Sequence, residues 1–197
     1  MKYLIVCCLF AILLLPSVCM AKEDYAKKFT FGLELTAVSY GVESYEDTET
    51  KTTDFDLGNV HGGFSFGYTF TRLIEVGTTV GFGYYKFNEG DSTNTVKNFS
   101  LTPYLNFNIW ASDKIVVPLG IYIGYEADFY GKSTVHYGLF AFKSGVEFFV
   151  ADVFSIGPSI MFGYSVGKVD YSGVGSEYDR ELSKWRISFG ADFTVWL

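Results

Sequence analysis

Cysteine is missing from most of this 197-residue chain, because its three cysteines (Cys7, Cys8 and Cys19) all lie near the N-terminus. A disulfide framework and a thiolate metal site are therefore excluded from the rest of the chain. Proline is scarce, at 4 residues, whereas Phe, Tyr and Gly are abundant, which is not the composition of a disordered protein. Basic residues are few as well. The net charge of −7 argues against a nucleic-acid-binding protein, which needs a basic surface for phosphates.

Long apolar runs are also missing, with one exception at the N-terminus. The apolar segment Leu4–Leu15 follows Lys2 and is ended by Pro16. It is shorter than the ~20 residues that a membrane-spanning helix needs. A charged start, a short apolar run and a small residue at Ala21 are typical of a secretory signal peptide. We predict a signal peptide over residues 1–21 and export through the Sec pathway.

Two alternatives exist for this N-terminal segment. It could remain as a membrane anchor, although the run is short for that. It could also mark a lipoprotein with a lipid on Cys19, although Val18 is a poor residue directly before a lipidated cysteine. Residues 22–197 contain no helical periodicity and no linker, so they are predicted to form one domain.

That domain consists of eight segments in which apolar and polar residues alternate, as in strands with two unlike faces. The clearest is the last, where Trp185, Ile187 and Phe189 alternate with Arg186 and Ser188. The links between segments are alternately short and long. The predicted strands cover residues 29–42, 58–72, 73–87, 98–111, 115–128, 138–150, 153–168 and 181–197.

Two kinds of barrel fit this alternation. A soluble lipocalin-like barrel has its apolar face inside and a charged face in water. Here most charges lie between the strands, and the polar face is mainly Gly, Ser, Thr and Asn, small enough to fill a narrow lumen. The sequence therefore predicts an all-β fold, an eight-stranded antiparallel up-and-down transmembrane β-barrel with short periplasmic turns and long extracellular loops.

Aromatic residues near the strand ends are predicted to form two girdles at the membrane interfaces. Pro103, Pro118 and Pro158 fall inside predicted strands, where each is expected to mark a bulge. The girdle residues are Tyr84, Tyr125, Tyr164 and Trp185 at the long-loop rim and Phe29, Phe70, Trp110, Phe154 and Trp196 at the short-turn rim.

The chain resembles the small eight-stranded outer-membrane barrels, a group that includes OmpX, OmpW, the opacity proteins and the OmpA transmembrane domain. The resemblance covers residues 29–197 and is most specific in the alternating strand from Trp185 to Leu197. That strand is similar to the C-terminal signal read by the outer-membrane assembly machinery, which usually ends in Phe or Trp. Here Trp196 is penultimate. The resemblance implies a location in the outer membrane of a diderm bacterium, with periplasmic chaperones and the assembly machinery as partners.

One set of charged residues has the alternation of the lumen face. Buried charges need partners, so Lys143 and Arg186 are expected to bridge the acids of the set. The set could act as a gate in a narrow pore or serve as a structural polar core, and the structural role is favoured. The members are Glu34, Glu75, Glu126, Lys143, Glu147, Arg186 and Asp192.

Binding-site and catalytic motifs are weak. The first long link is acidic, but its spacing does not match a Ca²⁺-binding loop. Barrel enzymes that act on lipid A use a His with an Asp-Ser pair, or His-x-Ser. Here His61 with Asp91–Ser92 is the nearest match, and His136 is followed by Tyr137 and Gly138. We therefore expect no enzymatic activity, no metal and no cofactor.

The leading hypothesis is a monomeric surface protein whose long loops contact an extracellular or host ligand, with outer-membrane lipid or lipopolysaccharide around the barrel. The rival hypothesis is a narrow passage for small, hydrophobic solutes, since the glycine-rich lumen face leaves space. Aromatic residues in or beside the loops are the candidate contacts. They are Tyr45, Phe55, Tyr130, Tyr137, Tyr171 and Tyr178.

Overall fold

A computed structural model describes residues 29–45, 48–50, 60–89, 92–130, 133–171 and 181–197. The predicted signal peptide, residues 1–21, lies outside the described residues. Within the described part, no helix is long and apolar enough to cross a membrane.

Ten strands make up the described structure, in one antiparallel sheet. β7 and β8 together fill one position in the sheet, and the short β2 pairs only with β1. Eight positions therefore remain, as predicted. The strands are β1 (Phe29–Tyr45), β2 (Thr48–Thr50), β3 (Val60–Thr71), β4 (Ile74–Glu89), β5 (Ser92–Ser112), β6 (Ile115–Tyr130), β7 (Ser133–Gly145), β8 (Glu147–Ala151), β9 (Phe154–Tyr171) and β10 (Glu181–Trp196).

The first and last long strands close the sheet into a barrel. β1 pairs with β10 from Thr30↔Trp196 to Tyr45↔Leu182, with one bulge between Thr36 and Val38. Every other neighbouring pair runs in chain order, up to β9 against β10. Closure satisfies the backbone hydrogen bonds of both edges, which is the condition for strands to cross a lipid bilayer.

The outer face of this barrel is apolar. Side chains such as Phe64 and Ile123 are 64% and 62% exposed, and most outward positions on the middle of the strands carry Phe, Leu, Ile, Val or Tyr. The inward positions are small or polar, as predicted. An exposed apolar band of this extent is unfavourable in water and favourable in contact with lipid acyl chains. The alternative of a soluble barrel with an apolar interior is therefore wrong.

Two of the predicted loops at one rim are strand wherever the structure describes them. β4 continues to Glu89 and β5 begins at Ser92, whereas the sequence predicted a link over residues 88–97. In the predicted link over 129–137, the described residues 129–130 and 133–137 are likewise strand. β5 has 21 residues, about 70 Å of strand and about 50 Å along the axis at a tilt near 40°. Because the apolar band of such barrels is about 25 Å tall, these hairpins extend beyond it.

The three strand prolines do not shift the register, so the predicted bulges are wrong. The pairing of β5 with β6 keeps one register on both sides of Pro103 and at Pro118, and β9 does so at Pro158. The missing N–H of Pro158 coincides with the interruption at Val146, which separates β7 from β8. Its N–H donates to the Pro158 carbonyl (3.0 Å), and Pro158 has no N–H to donate in return.

Gly157 lies against the backbone of the neighbouring strand, beside the interruption between β7 and β8. A Cβ at this position would lie 1.7 Å from the Val146 carbonyl oxygen. We expect Gly157→Ala to lower the free energy of unfolding by about 1–3 kcal/mol, since the backbone must move. Urea unfolding in detergent micelles measures the change.

Gly163→Ala on the same strand is the matched control. A Cβ at Gly163 would meet Leu139 at 3.5 Å and Ala141 at 3.7 Å, which are ordinary contacts. Equal losses of stability in the two variants would contradict the close-approach argument.

Candidate functional site

The lumen is the candidate site, and all seven charged residues predicted to face it do so. They separate into a group in the half near the short turns and a group in the half near the extended hairpins. The first group contains Glu34, Glu75, Lys143, Glu147 and Asp192, and the second contains Glu126 and Arg186.

Lys143 is the centre of the first group. Its ammonium nitrogen lies 3.0 Å from Glu34 Oε2 and 2.9 Å from Asp192 Oδ1. The Lys143 side chain is only 11% exposed, and the strand register places Glu34 directly opposite Asp192. Lys143 on β7 therefore forms ion pairs across the lumen with one acid on β1 and one on its neighbour β10. The predicted bridging by Lys143 is present.

Neutral donors hold the other two acids of this group. Glu75 is buried and accepts hydrogen bonds from the hydroxyls of Thr30 and Tyr104 and from Asn108 Nδ2 (3.3 Å). Glu147, also buried, accepts a hydrogen bond from the Ser155 hydroxyl. Tyr104 and Asn108 lie on β5, next to the strand of Glu75, whereas Thr30 lies two strands away on β1; Ser155 lies on β9, next to the strand of Glu147. These donors stabilise two buried carboxyl groups that form no ion pair with any other described residue.

A second group of charges lies towards the extended hairpins. The Lys184 ammonium lies 2.8 Å from both Glu126 Oε1 and Asp128 Oδ2, and Arg186 reaches Glu126 Oε1 at 3.4 Å. Asn98 donates to both carboxylates. Glu126 and Asp128 are fully buried, so the ion pairs compensate two desolvated acids.

Lys184 and Asp128 are absent from the set predicted from the sequence. Both share the inward alternation, because Lys184 is two residues before Arg186 and Asp128 is two residues after Glu126. Including the next inward position on each of the two strands would have identified both residues. With these two residues included, the second group has two acids and two bases.

The short-turn end of the lumen is closed by aromatic side chains. Trp110 and Trp196 are 6% and 4% exposed, and both pack against Phe149. Trp196 Nε1 donates to Ser155 Oγ (2.9 Å), and the Arg72 guanidinium covers the Trp110 ring at 4.4 Å. We refer to Trp110, Trp196 and Phe149 as the aromatic plug.

The aromatic plug corrects the predicted girdle at this rim. Trp110 and Trp196 were expected on the outside, but their strand positions have inward alternation and their side chains are buried. The girdle at the other rim is outward, as expected: Tyr84, Tyr125 and Tyr164 are 41–45% exposed, and Trp185 packs on Tyr40.

Apolar side chains cover the second charged group at the other end. Val135, Tyr137 and Leu182 form a buried cluster, with Tyr130 packed against it. The Lys184 ammonium lies 4.2 Å from the Tyr137 ring centroid. Tyr137 was a candidate surface contact, but it is 1% exposed because it points into the lumen, so that interpretation is wrong.

The middle of the lumen is filled as well. Tyr104 and Tyr122 stack with ring centroids 5.2 Å apart, and Leu139, Ala141 and Met161 pack around them. A polar cavity beside this stack has a volume of about 30 Å³, enough for one or a few water molecules. Glu34, Glu75 and Lys143 are among its lining residues.

Several other sequence candidates lie outside the description. Residues 51–59 and 172–180, which contain Phe55 and Tyr178, are among them, as are the side chains of Tyr45, Tyr171 and His61. Most of the acidic first link also lies there. Among the described residues, no group of His, Cys, Asp and Glu side chains is arranged to hold a metal ion.

His136, the other residue weighed for catalysis, lies on the outer face. Its Nδ1 pairs with the Tyr125 hydroxyl, and the two rings stack. The next residue, Tyr137, points into the lumen. His136 therefore contacts an outward tyrosine and not the residues that follow it in sequence.

No protein-family model and no curated protein sequence matches this chain. Solved structures do. OprG from Pseudomonas aeruginosa is similar with a TM-score of 0.53 and 10% identity, over 88% of this chain and 98% of that one. Neisserial surface protein A has a TM-score of 0.51 and 14% identity, over 86% of this chain and 97% of that one. The outer membrane enzyme PagL, at 13% identity over 83% of this chain and 99% of that one, has a TM-score of 0.37, too low to argue from.

OprG and the Neisserial protein are both described as proteins of the outer membrane or surface. At 10–14% identity the likeness concerns the fold. Together with the closed antiparallel sheet and the apolar outer face, it shows that this chain has the fold of the small outer-membrane β-barrel proteins.

Proposed function

We propose that this protein is an outer-membrane barrel that acts through its extracellular hairpins and loops as a surface-contact or adhesion protein, without enzymatic activity. The observation that supports this proposal is the packed lumen. The aromatic plug fills one end, the cluster of Val135, Tyr137 and Leu182 fills the other, and two charged groups lie between them.

A packed lumen disfavours the rival role as a passage. The described cavity, with a volume of about 30 Å³, leaves room for only a few water molecules. Eight strands also leave an interior only wide enough for side chains. The charged groups then have the role that buried ion pairs have in a core, which is to hold a fixed arrangement of strands.

The contact surface would lie on the part of the barrel beyond the apolar band. The extended β4–β5 and β6–β7 hairpins support it. Of the predicted aromatic contacts, Tyr130 is half-buried against the Tyr137 cluster. Tyr45, Phe55, Tyr171 and Tyr178 remain candidates from the sequence.

Planar-bilayer conductance of the refolded protein tests the closed lumen. We expect a folded protein, identified by heat-modifiable gel mobility, that produces no discrete openings. The Lys143→Met/Arg186→Met double variant separates a gate from a structural core. Discrete openings that a solute blocks, in either protein, would support the passage instead.

Protease treatment of intact cells tests the surface role directly. We expect cleavage within the predicted long links at residues 43–57 and 169–180 in intact cells, because these links are predicted to be extracellular. Opened cells provide the control for periplasmic cleavage. Links that are cut only after the cells are opened would contradict a contact surface outside the cell.

A further inference from the structure

A chain of hydrogen bonds joins the first charged group of the lumen to the aromatic plug. Trp196 Nε1 donates to Ser155 Oγ (2.9 Å), and the Ser155 hydroxyl donates to the carboxyl group of Glu147. These three side chains are buried, with exposed fractions of 4%, 0% and 7%. Glu147 and Trp196 also line the same polar cavity. A change in the charge of Glu147 therefore acts on a direct neighbour of the plug.

The first charged group has more acids than its one base can balance. It contains four carboxyl groups and a single ammonium, that of Lys143. The ammonium is already paired with Glu34 and Asp192. Within the described part of the chain, no second cation forms an ion pair with any of the four acids. A further negative charge in this buried space has a desolvation cost and no ion pair to offset it.

Glu147 is the acid of this group whose surroundings suit a charge least. Glu75 accepts hydrogen bonds from three side chains, which suits an ionised carboxylate because that form only accepts. Glu147 accepts one, from Ser155, and has no ion pair with a described residue. One hydrogen bond does not offset the loss of hydration of a buried carboxylate. The neutral, protonated form therefore suits Glu147.

The strands around Glu147 supply acids and one occupied cation. Its ladder partner on β6 is Val116 and its hydrogen-bond donor on β9 is Ser155, and neither is charged. Six titratable groups share its cavity, and Lys143 is the one base among them. They are Glu34 on β1, Glu75 on β4, Tyr104 on β5, Tyr122 on β6, Lys143 on β7 and Asp192 on β10. An ionised Glu147 would therefore face further acids across the cavity.

We propose that a proton on Glu147 holds the aromatic plug closed, as a pH-sensitive latch at the short-turn end of the lumen. Glu147 is neutral while the plug is closed and ionises once the plug moves and water reaches its carboxyl group. Opening of the plug then releases one proton, so a rise in pH favours the open form. The cluster of Val135, Tyr137 and Leu182 still fills the other end of the lumen. The latch is independent of the surface-contact role.

Proton counting gives the sign and the size of this dependence. Above about pH 4, where an exposed glutamate ionises, the open form has lost the Glu147 proton and the closed form retains it. Each further pH unit raises the equilibrium constant for opening by up to about tenfold, until Glu147 also ionises behind the closed plug. At lower pH both forms are protonated, and Glu147 adds no pH dependence.

Exchange of the Trp196 indole proton with water, followed by NMR in micelles, measures opening of the plug. Glu147→Gln keeps an oxygen acceptor for Ser155 but cannot ionise, so comparison at equal pH cancels the base catalysis of exchange. From pH 6 to pH 7 we expect exchange in the unaltered protein to rise about tenfold more than in Glu147→Gln. Glu181→Gln, which removes an exposed acid at the opposite rim, is the matched control and should retain this excess. Equal rises in the unaltered protein and in Glu147→Gln would overturn the latch.

The unaltered protein provides two further readouts. The ¹³C signal of the Glu147 carboxyl group should be that of a neutral acid at pH 6, where the exposed Glu181 is ionised. A Glu147 signal that titrates together with that of Glu181 would overturn the proposal. The Trp185 indole proton, on the outer face, should not show the excess exchange of Trp196. The same excess at both tryptophans would also overturn it, because it would indicate unfolding of the whole barrel.

Discussion

Lys143→Met is expected to lower the free energy of unfolding by about 3–5 kcal/mol, the usual cost of removing one partner from a buried ion pair. Methionine retains much of the length of the lysine side chain but leaves Glu34 and Asp192 facing each other without a cation. Among the described residues, these acids then keep only hydrogen bonds, from Thr79 to Glu34 (3.4 Å) and from Ser159 to Asp192 (3.2 Å). Urea unfolding in micelles, followed by tryptophan fluorescence, measures the loss.

The triple variant Lys143→Met/Glu34→Gln/Asp192→Asn isolates the cause. It removes both negative charges along with the cation, so most of the lost stability should return. Lys114→Met, in an exposed turn, should change stability by less than about 0.5 kcal/mol. A triple variant as unstable as the single one would show that packing, and not unpaired charge, explains the loss.

Trp196→Ala is expected to lower the free energy of unfolding by a similar amount, about 3–5 kcal/mol, because it empties the aromatic plug. The centroid of the Trp196 ring lies 6.1 Å from that of Trp110 and 5.5 Å from that of Phe149. Its Nε1 also donates a hydrogen bond to Ser155 Oγ, which loses this donor in the variant. The same unfolding measurement detects the change.

Trp185→Ala on the same strand is the control. Trp185 is outward and its principal aromatic contact is Tyr40, at 5.4 Å, so its removal leaves no cavity in the lumen. A loss of about 1 kcal/mol is expected, the size of one aromatic pair. Equal losses for the two tryptophans would contradict the inward placement of Trp196.

The inward placement of Trp196 also changes the interpretation of the C-terminal strand. The sequence resembles an assembly signal with its aromatic residue moved to the penultimate position. In the barrel that tryptophan closes the lumen, and the outward terminal side chain is Leu197, which is 60% exposed. An aromatic residue at a strand end therefore has two possible roles, and only its alternation relative to the rest of the strand separates them.

The lumen set could be predicted from alternation because period two fixes the face of a side chain once one face is known to be buried. The ion-pair partners of these lumen residues could not be predicted from alternation. Lys143, Glu34 and Asp192 lie on β7, β1 and β10, and their meeting depends on the stagger of strands around a closed barrel. Stagger is a property of the whole ring.

At the hairpin end, local composition predicted the wrong secondary structure. Residues 92–97 contain Ser92, Thr93, Asn94 and Thr95, and residues 133–137 begin with Ser133 and Thr134, so their composition predicted loops. They form strand because each is paired along its length with a neighbour, as in Lys86↔Thr95 and Asp128↔Val135. Pairing that is already established in the membrane extends the ladder past the point where composition favours it.

The sequence by itself determined the all-β class, the number of strand positions and the face that meets lipid, since these follow from local alternation and from the scarcity of charge on one face. The tertiary structure decided that the lumen is closed, which tryptophans are inside, and that Tyr137 covers a lysine instead of facing a ligand. Those features depend on distances across the barrel, and distances across a closed sheet are set by register and stagger, which no single strand encodes.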